Sequence, residues 1–254
     1  MSSASDRPIL NFINAGFSYD KNKPFIREIS FSIENGEFIG LLGANGSGKS
    51  TILKLASGLL KASSGDINLW GKPVGSYKNK DRAKLLSYLP QILDISIPFK
   101  VKELVSMGLY PYDTLPELTV DEAIEMVGLQ NNSGSLITNL SGGERRRVYL
   151  AMTLLQGAGL VLLDEPLANL DIKYQIELLR LLKELRIKRK ISVVMALHDI
   201  NIALQFDKIV LIKNGRILGI GKPDEVLTKE LLKSAFDVEV EIKREDSGGI
   251  YIKY

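Results

Sequence analysis

The strongest constraint on this chain is an eight-residue run, Gly43-Ala44-Asn45-Gly46-Ser47-Gly48-Lys49-Ser50, set between the apolar segment Phe38–Leu42 and a segment of helical spacing, Lys49–Ser57. It fits the pattern G-x-x-x-x-G-K-[ST] in the order strand, loop, helix. Its glycines let the backbone curl until successive N–H groups point at one anion, and the start of a helix adds partial positive charge. Lys49 is expected to place a point charge on the β and γ phosphates of a nucleotide. The Ser50 hydroxyl is expected to take one position on Mg²⁺.

Composition removes several other chemistries. The 254 residues include no cysteine and a single histidine, His198, which excludes a disulfide scaffold, thiolate metal sites, a cysteine nucleophile and a multi-histidine metal centre. With 33 Lys and Arg against 30 Asp and Glu, the formal charge of +3 is too small to indicate nucleic acid as a partner. The longest apolar-rich uncharged run, Val148–Leu163, has 16 positions, whereas a membrane span needs roughly 20. The polar start, Met1–Pro8, lacks the apolar core of a signal peptide, so the chain is expected to stay in the cytoplasm.

Periodicity gives the organisation. Short strand-like runs (Ile9–Asn14, Ile29–Ile33, Phe38–Leu42) separated by turn residues read as an N-terminal meander. A helix at Lys49–Ser57 and strands at Asp66–Trp70 and Leu86–Leu89 follow. The middle is helical, at Val101–Met107, Val120–Val127 and Gly142–Leu155, and reads as an inserted subdomain over residues 92–157. Beyond it, the apolar runs Leu160–Leu163 and Ile191–Leu197 flank a helix at Lys173–Ile187, the signature of a parallel sheet covered on both faces. Residues 1–91 and 158–254 then form one core, and Val238–Lys243 with Ile250–Tyr254 form a terminal hairpin across Asp246-Ser247-Gly248-Gly249.

Two acids, Asp164 and Glu165, follow the apolar strand Leu160–Leu163, at the carboxyl end where open α/β sheets bind ligands. Asp164 is expected to hold Mg²⁺, and Glu165 to accept a proton from the attacking water or polarise it. His198 ends the next apolar strand and can donate an N–H to a γ-phosphate. Leu140-Ser141-Gly142-Gly143-Glu144 opens a helix, with Ser141 as N-cap and Gly142 and Gly143 leaving N–H groups accessible, so it forms a second anion-binding terminus. One nucleotide hardly needs two such cradles from one chain. The basic runs Arg145-Arg146-Arg147 and Lys188-Arg189-Lys190 read as solvated helix faces and ends, and Ile176–Leu185 as core.

Taken in order, Gly43–Ser50, Gln91, Leu140–Glu144, Asp164-Glu165, Leu170-Asp171 and His198 resemble the ATP-binding cassette ATPases, over residues 11–227. The resemblance implies an α/β, RecA-like P-loop NTPase core with an N-terminal antiparallel β subdomain and an inserted α-helical subdomain. It implies ATP and Mg²⁺ as ligands, with Tyr19 stacking on adenine and Gly43, Asn45, Gly46, Ser47, Gly48, Lys49, Ser50 and Thr51 holding phosphates. Gln91 would link Mg²⁺ and the nucleophilic water to the helical subdomain, and Mg²⁺ would be held by Ser50, Gln91 and Asp164. Ser141, Gly142 and Gly143 would contact ATP held by a second copy, with Asp171 in a loop at the dimer interface.

Within the family, Ile97-Pro98-Phe99, Val101–Pro111 and His198–Asp207 are similar to ATPase subunits of importers for iron chelates, haem and cobalamin. That likeness implies a homodimer on the cytoplasmic face of the cell membrane, working with integral membrane permease subunits and, indirectly, an extracytoplasmic substrate-binding protein, and no nucleic acid. The apolar stretch Gln91–Pro111, with Ile92, Leu93, Ile95, Ile97, Pro98 and Phe99, would receive a partner helix. The chain departs from the group at Pro111–Val120, which is about ten residues short, at Leu167 where Thr or Ser is usual, and at Arg146 where Gln is common. A soluble cassette ATPase of DNA maintenance or translation would need long coiled coils or two cassettes, and a P-loop kinase would leave Ser141–Glu144 without a purpose.

Overall fold

The computed structural model describes residues 7–20, 23–91, 97–114, 116–168, 170–244 and 250–253. The chain begins with β1 (Leu10–Asp20), β2 (Lys23–Ile33), β3 (Phe38–Leu42), α1 (Lys49–Ala56), β4 (Ser64–Leu69) and β5 (Lys72–Pro73). It continues through α2 (Asn79–Leu85), β6 (Leu86–Leu89), α3 (Val101–Ser106), α4 (Val120–Met126), α5 (Gly142–Leu155), β7 (Leu160–Asp164) and α6 (Ile172–Arg189). The last stretch holds β8 (Ser192–Leu197), α7 (Ile200–Ala203), β9 (Lys208–Lys213), β10 (Arg216–Gly221), α8 (Pro223–Val226), α9 (Lys229–Phe236), β11 (Glu241–Arg244) and β12 (Ile250–Lys253). Two compact units result, one reaching to Ser76 and resuming at Val194, the other being Tyr77–Val193.

In the first unit an antiparallel sheet has the order β2-β1-β4-β5. Its long strands pass through a bulge at Asn14, whose φ is 47° and where the register to β2 slips. The Asn14 N–H donates to Ser30 Oγ at 2.8 Å and the Ser30 hydroxyl donates to Asn14 Oδ1 at 2.9 Å, so the groups that the bulge takes out of the ladder find partners. Asn tolerates the left-handed conformation better than most residues with a side chain. Asn14 therefore marks a kink, where the sequence suggested a strand end, and β1 and β2 run on to Asp20 and from Lys23.

Phe38–Leu42 is not part of that sheet, contrary to the expected meander. All five of its residues are buried, and β3 pairs in parallel with β9 from Ile39↔Lys208 to Leu42↔Leu211. A strand covered on both faces belongs in a parallel layer, because an antiparallel sheet with one wet face needs polar alternation. The order here is β10-β9-β3-β8, with Val194–Leu197 supplied by β8. Phe38 stacks on Phe206 (4.4 Å between ring centroids) and Phe12 on Phe31 (4.6 Å), fixing both layers of the core.

The second unit pairs β6 and β7 in parallel, Leu86↔Leu160 to Leu89↔Leu163. Its helices α3, α4 and α5 bury Val101, Leu104, Val105, Ala123, Ile124, Val148 and Leu155 against one another. Thr119 and Ser141 start α4 and α5 with reciprocal side-chain and backbone bonds to Glu122 and Glu144. Among the described residues, no helix is long and apolar enough to cross a membrane.

The terminal hairpin forms, with β11 antiparallel to β12. Its expected turn, Asp246–Gly249, lies outside the described residues. Asn201 at the start of α7 secures β12: its Nδ2 donates to Ile252 O at 2.9 Å and its Oδ1 accepts from Ile252 N at 2.8 Å.

Candidate functional site

In the first unit β3 delivers the chain into the loop Gly43–Gly48, and α1 begins at Lys49. Gly48 has φ 113°, and a Cβ there would sit 2.7 Å from Ile26 Cδ1; at Gly43 a Cβ would meet Ile212 O at 2.3 Å. The loop is thus closed to side chains at both ends. Ser47 N donates to Ala44 O at 3.2 Å and Gly215 N donates to Ser47 O at 2.8 Å, which ties the loop to the turn between β9 and β10. Lys49 is only 4% exposed, and its Nζ donates to Gly43 O at 2.8 Å and Ala44 O at 3.1 Å. Ser47 Oγ is buried with no hydrogen-bond partner among the described residues. A glycine-built curl, a buried ammonium and an unsatisfied hydroxyl fit a polyphosphate.

Beside this loop, the Tyr19 hydroxyl and Thr51 Oγ1 share a hydrogen bond of 3.0 Å. The Tyr19 ring makes T-shaped contacts with Phe17 and Phe25 and is 63% exposed, so much of it remains open to solvent. Asn45 and Gly46 are exposed at the crest of the loop. His198 follows β8 directly and is exposed, while Asp199 behind it caps α7 by accepting from Asn201 N and Ile202 N.

In the second unit β7 ends on Asp164, 1% exposed, whose Oδ2 accepts from the Tyr88 hydroxyl at 3.3 Å. The next residue, Glu165, has φ 49°, a left-handed conformation that costs a residue with a Cβ about 1–2 kcal/mol. Its Oε2 accepts from Gln91 Nε2 at 2.7 Å. The Arg146 guanidinium, from the fifth residue of α5, donates to Pro166 O at 2.9 Å, Gln91 O at 3.1 Å and Asp164 O at 3.0 Å, and also to Glu165 O. Burial pushes the Arg146 pKa down, and the negative charges of Glu165 and Asp164 oppose that shift. Guanidinium stays protonated throughout.

Ser141 caps α5: its hydroxyl donates to Glu144 Oε2 at 2.7 Å and its N–H donates to the same oxygen at 2.9 Å. These bonds hold the Glu144 carboxyl below the usual range. Ser141 and Gly142 are exposed, and a Cβ on Gly142 would meet nothing within 4 Å. Asp171 stands exposed at the N-cap of α6.

Each unit therefore assembles its own set: Tyr19 and Thr51 with the phosphate loop in the first, and Gln91, Asp164 and Glu165 in the second. Ile97 and Tyr110 of the expected partner surface are exposed, at 58% and 73%, whereas Ile92, Leu93 and Ile95 lie outside the described residues. For a metal, the buried Asp164 carboxylate is an oxygen donor of the kind that Mg²⁺ takes alongside phosphate. No group of three or more His, Cys, Asp or Glu among the described residues forms a protein-only metal site.

The solvated reading of Arg145–Arg147 is corrected. Arg145 is exposed, but Arg147 is 9% exposed, donates to Val127 O at 2.9 Å and lies 4.0 Å over the Tyr174 ring, and Arg146 grips four carbonyls. Consecutive helical positions are turned by about 100°, so three like residues enter three environments. The sequence signal for Arg146 was its departure from Gln. For Tyr88 and Asn201 no signal was available.

A glycine phosphate loop after a buried parallel strand, together with an acid pair at the end of another, defines a P-loop ATPase. Residues 26–168 match the ABC transporter family, and the chain belongs to it. A petrobactin import ATP-binding protein of Bacillus anthracis is 39% identical over 238 residues, covering 91% of this chain and 88% of that one. A hemin import ATP-binding protein of Bordetella avium is 37% identical over 232 residues, covering 87% and 89%. Among solved structures, cbiO1 of Clostridium perfringens, part of the cbiONQ ABC transporter complex, matches with TM-score 0.76 and 28% identity over 91% of this chain and 97% of that one. A cassette solved as a dimer with ADP and Pi matches in fold, with TM-score 0.77 and 23% identity over 84% and 98%. The α/β P-loop fold and ATPase class expected from the motifs hold, and DNA maintenance or translation is not favoured.

Proposed function

We propose that this chain is the ATP-hydrolysing subunit of an importer for metal chelates of the siderophore, haem or cobalamin type. It would work as a homodimer on the cytoplasmic face of the cell membrane, with separate permease subunits and an extracytoplasmic binding protein. The cargo class is supported by relatives named for petrobactin and hemin import, and by a cobalamin import ATP-binding protein of Halobacterium salinarum, 34% identical over 87% of this chain. The exposed Ile97 and Tyr110 support the permease contact.

The observation that carries the hydrolytic reading is the hydrogen bond of 2.7 Å from Gln91 Nε2 to Glu165 Oε2. That bond orients the carboxylate that would accept a proton from the attacking water. In this reading the loop amides and Lys49 bind the β and γ phosphates, Tyr19 stacks on adenine, and His198 donates to the γ-phosphate. Ser50, Asp164 and Gln91 would hold Mg²⁺, whose chemistry is to neutralise phosphate charge. Ser141, Gly142 and Gly143 would contact the γ-phosphate bound by the other copy, and Asp171 the facing loop. Glu165 takes the proton as the water oxygen attacks phosphorus. The bond to the β–γ bridging oxygen then breaks, and ADP and phosphate leave. Loss of the γ-phosphate removes the contact that favours the closed dimer, so the two states exchange.

Chelate uptake into membrane vesicles containing the permease tests this. ATP-driven uptake with the parental chain and none with Lys49→Ala is expected. Co-purification with DNA or ribosomes in place of a polytopic permease would overturn the reading.

A further inference from the structure

We propose that Arg146 is a positioning residue for hydrolysis, holding the Glu165 carboxylate in its working orientation by bridging the carbonyls of Gln91, Asp164, Glu165 and Pro166. The inference rests on Glu165 being the base.

Glu165 sits at a φ of 49°, which a residue with a Cβ occupies only when its surroundings fix it. Those surroundings are visible. One planar guanidinium takes Pro166 O through Nε, Gln91 O through one terminal nitrogen, and Asp164 O and Glu165 O through the other. The carbonyls of Asp164 and Glu165 flank the unusual dihedral, so gripping both fixes the rotation that sets where the Glu165 side chain leaves the backbone. Holding Gln91 O as well locks the residue whose amide donates to Glu165 Oε2. Backbone and side chain of the candidate base are thus set by a single cation, and no neutral side chain has donors enough to do this. Arg146 is also on the same helix as Ser141–Gly143. A shift of α5 that moves the N-terminus would pull on the four carbonyls, so engagement of that terminus and alignment of Glu165 are mechanically joined.

A misaligned base lowers turnover without loosening nucleotide. Arg146→Ala in the full chain is therefore expected to lower kcat by about 10- to 100-fold, with KM and ATP affinity changed less than about twofold. ATP-bound dimers should accumulate, as with Glu165→Gln. Arg146→Lys keeps the charge but has no planar fork, and should remain at least about tenfold below the parental kcat, which keeps the inference testable should the alanine variant unfold. Arg147→Ala, one position on, should lower the melting temperature while leaving kcat unchanged.

Parental turnover in Arg146→Lys or in a folded Arg146→Ala overturns the inference. A raised KM with unchanged kcat, or loss of ATP-dependent dimers, overturns it as well. Should Glu165→Gln itself turn over at the parental rate, the base reading fails; a stalled Glu165→Gln beside a fully active Arg146→Ala removes the Arg146 role alone.

Discussion

The phosphate loop and the end of β7 both follow a buried parallel strand, yet they are built from different materials. The loop is main chain: a Gly43 and a Gly48 that a Cβ would crowd, amides and carbonyls bonded to one another, and a lysine folded back onto two loop carbonyls. The end of β7 is held by side chains, with Arg146 on its carbonyls, Gln91 on Glu165 and Tyr88 on Asp164. A site made of backbone is well suited to holding an anion of fixed shape. A site held by side chains from α5 and from the β6 end can be aligned or released when those elements move, which suits a step that must be timed.

Four variants can break or sharpen that contrast. The largest effect is expected for Glu165→Gln, whose steady-state turnover should fall roughly 10²- to 10⁴-fold; ATPase assay at saturating ATP checks it. Lys49→Ala should weaken ATP by roughly 10- to 100-fold, the worth of a charged hydrogen bond, as read by fluorescence titration. Gly48→Ala should destabilise the chain by at least about 1–2 kcal/mol and show it in thermal melting, because its φ of 113° and the 2.7 Å approach to Ile26 leave no relaxed place for a methyl. An unchanged melting temperature would mean the loop is softer than its geometry implies.

The smallest effect concerns the capping box of α5. Its Glu144 carboxyl is held below the usual range by Ser141, so its stabilising contribution is present above the ordinary carboxylate value of about 4.3. It fades as pH falls through the lower folded value. The stability gap between the parental chain and Glu144→Gln in denaturant melts should accordingly close under acid. Persistence of the gap well below that range would show that the carboxylate charge contributes nothing.

Backbone-made features were the legible ones. Gly43–Ser50 announces itself because loop geometry demands glycine at fixed spacing, and Leu160–Asp164 because burial on both faces demands an unbroken apolar run. What side chains build was hidden. Arg145–Arg147 shows charge in sequence but not direction, and only the helix turn sends Arg146 to the acid pair and Arg147 onto the Tyr174 ring. Asn14 read as a strand end because a bulge and a turn ask for the same residue types. Strands β9 and β10 and helices α2 and α9 were not anticipated; α2 buries none of its residues, β9 takes its parallel partner β3 from far away in sequence, and β10 pairs locally with β9 across Asn214-Gly215.

The central claim, that binding and turnover are divided between two differently made sites, meets its most direct test in one binding isotherm: ATP titrated into Glu165→Gln beside Lys49→Ala. The account predicts that Glu165→Gln binds within about twofold of the parental chain, while Lys49→Ala binds at least about tenfold more weakly. Equal loss of affinity in both would contradict it.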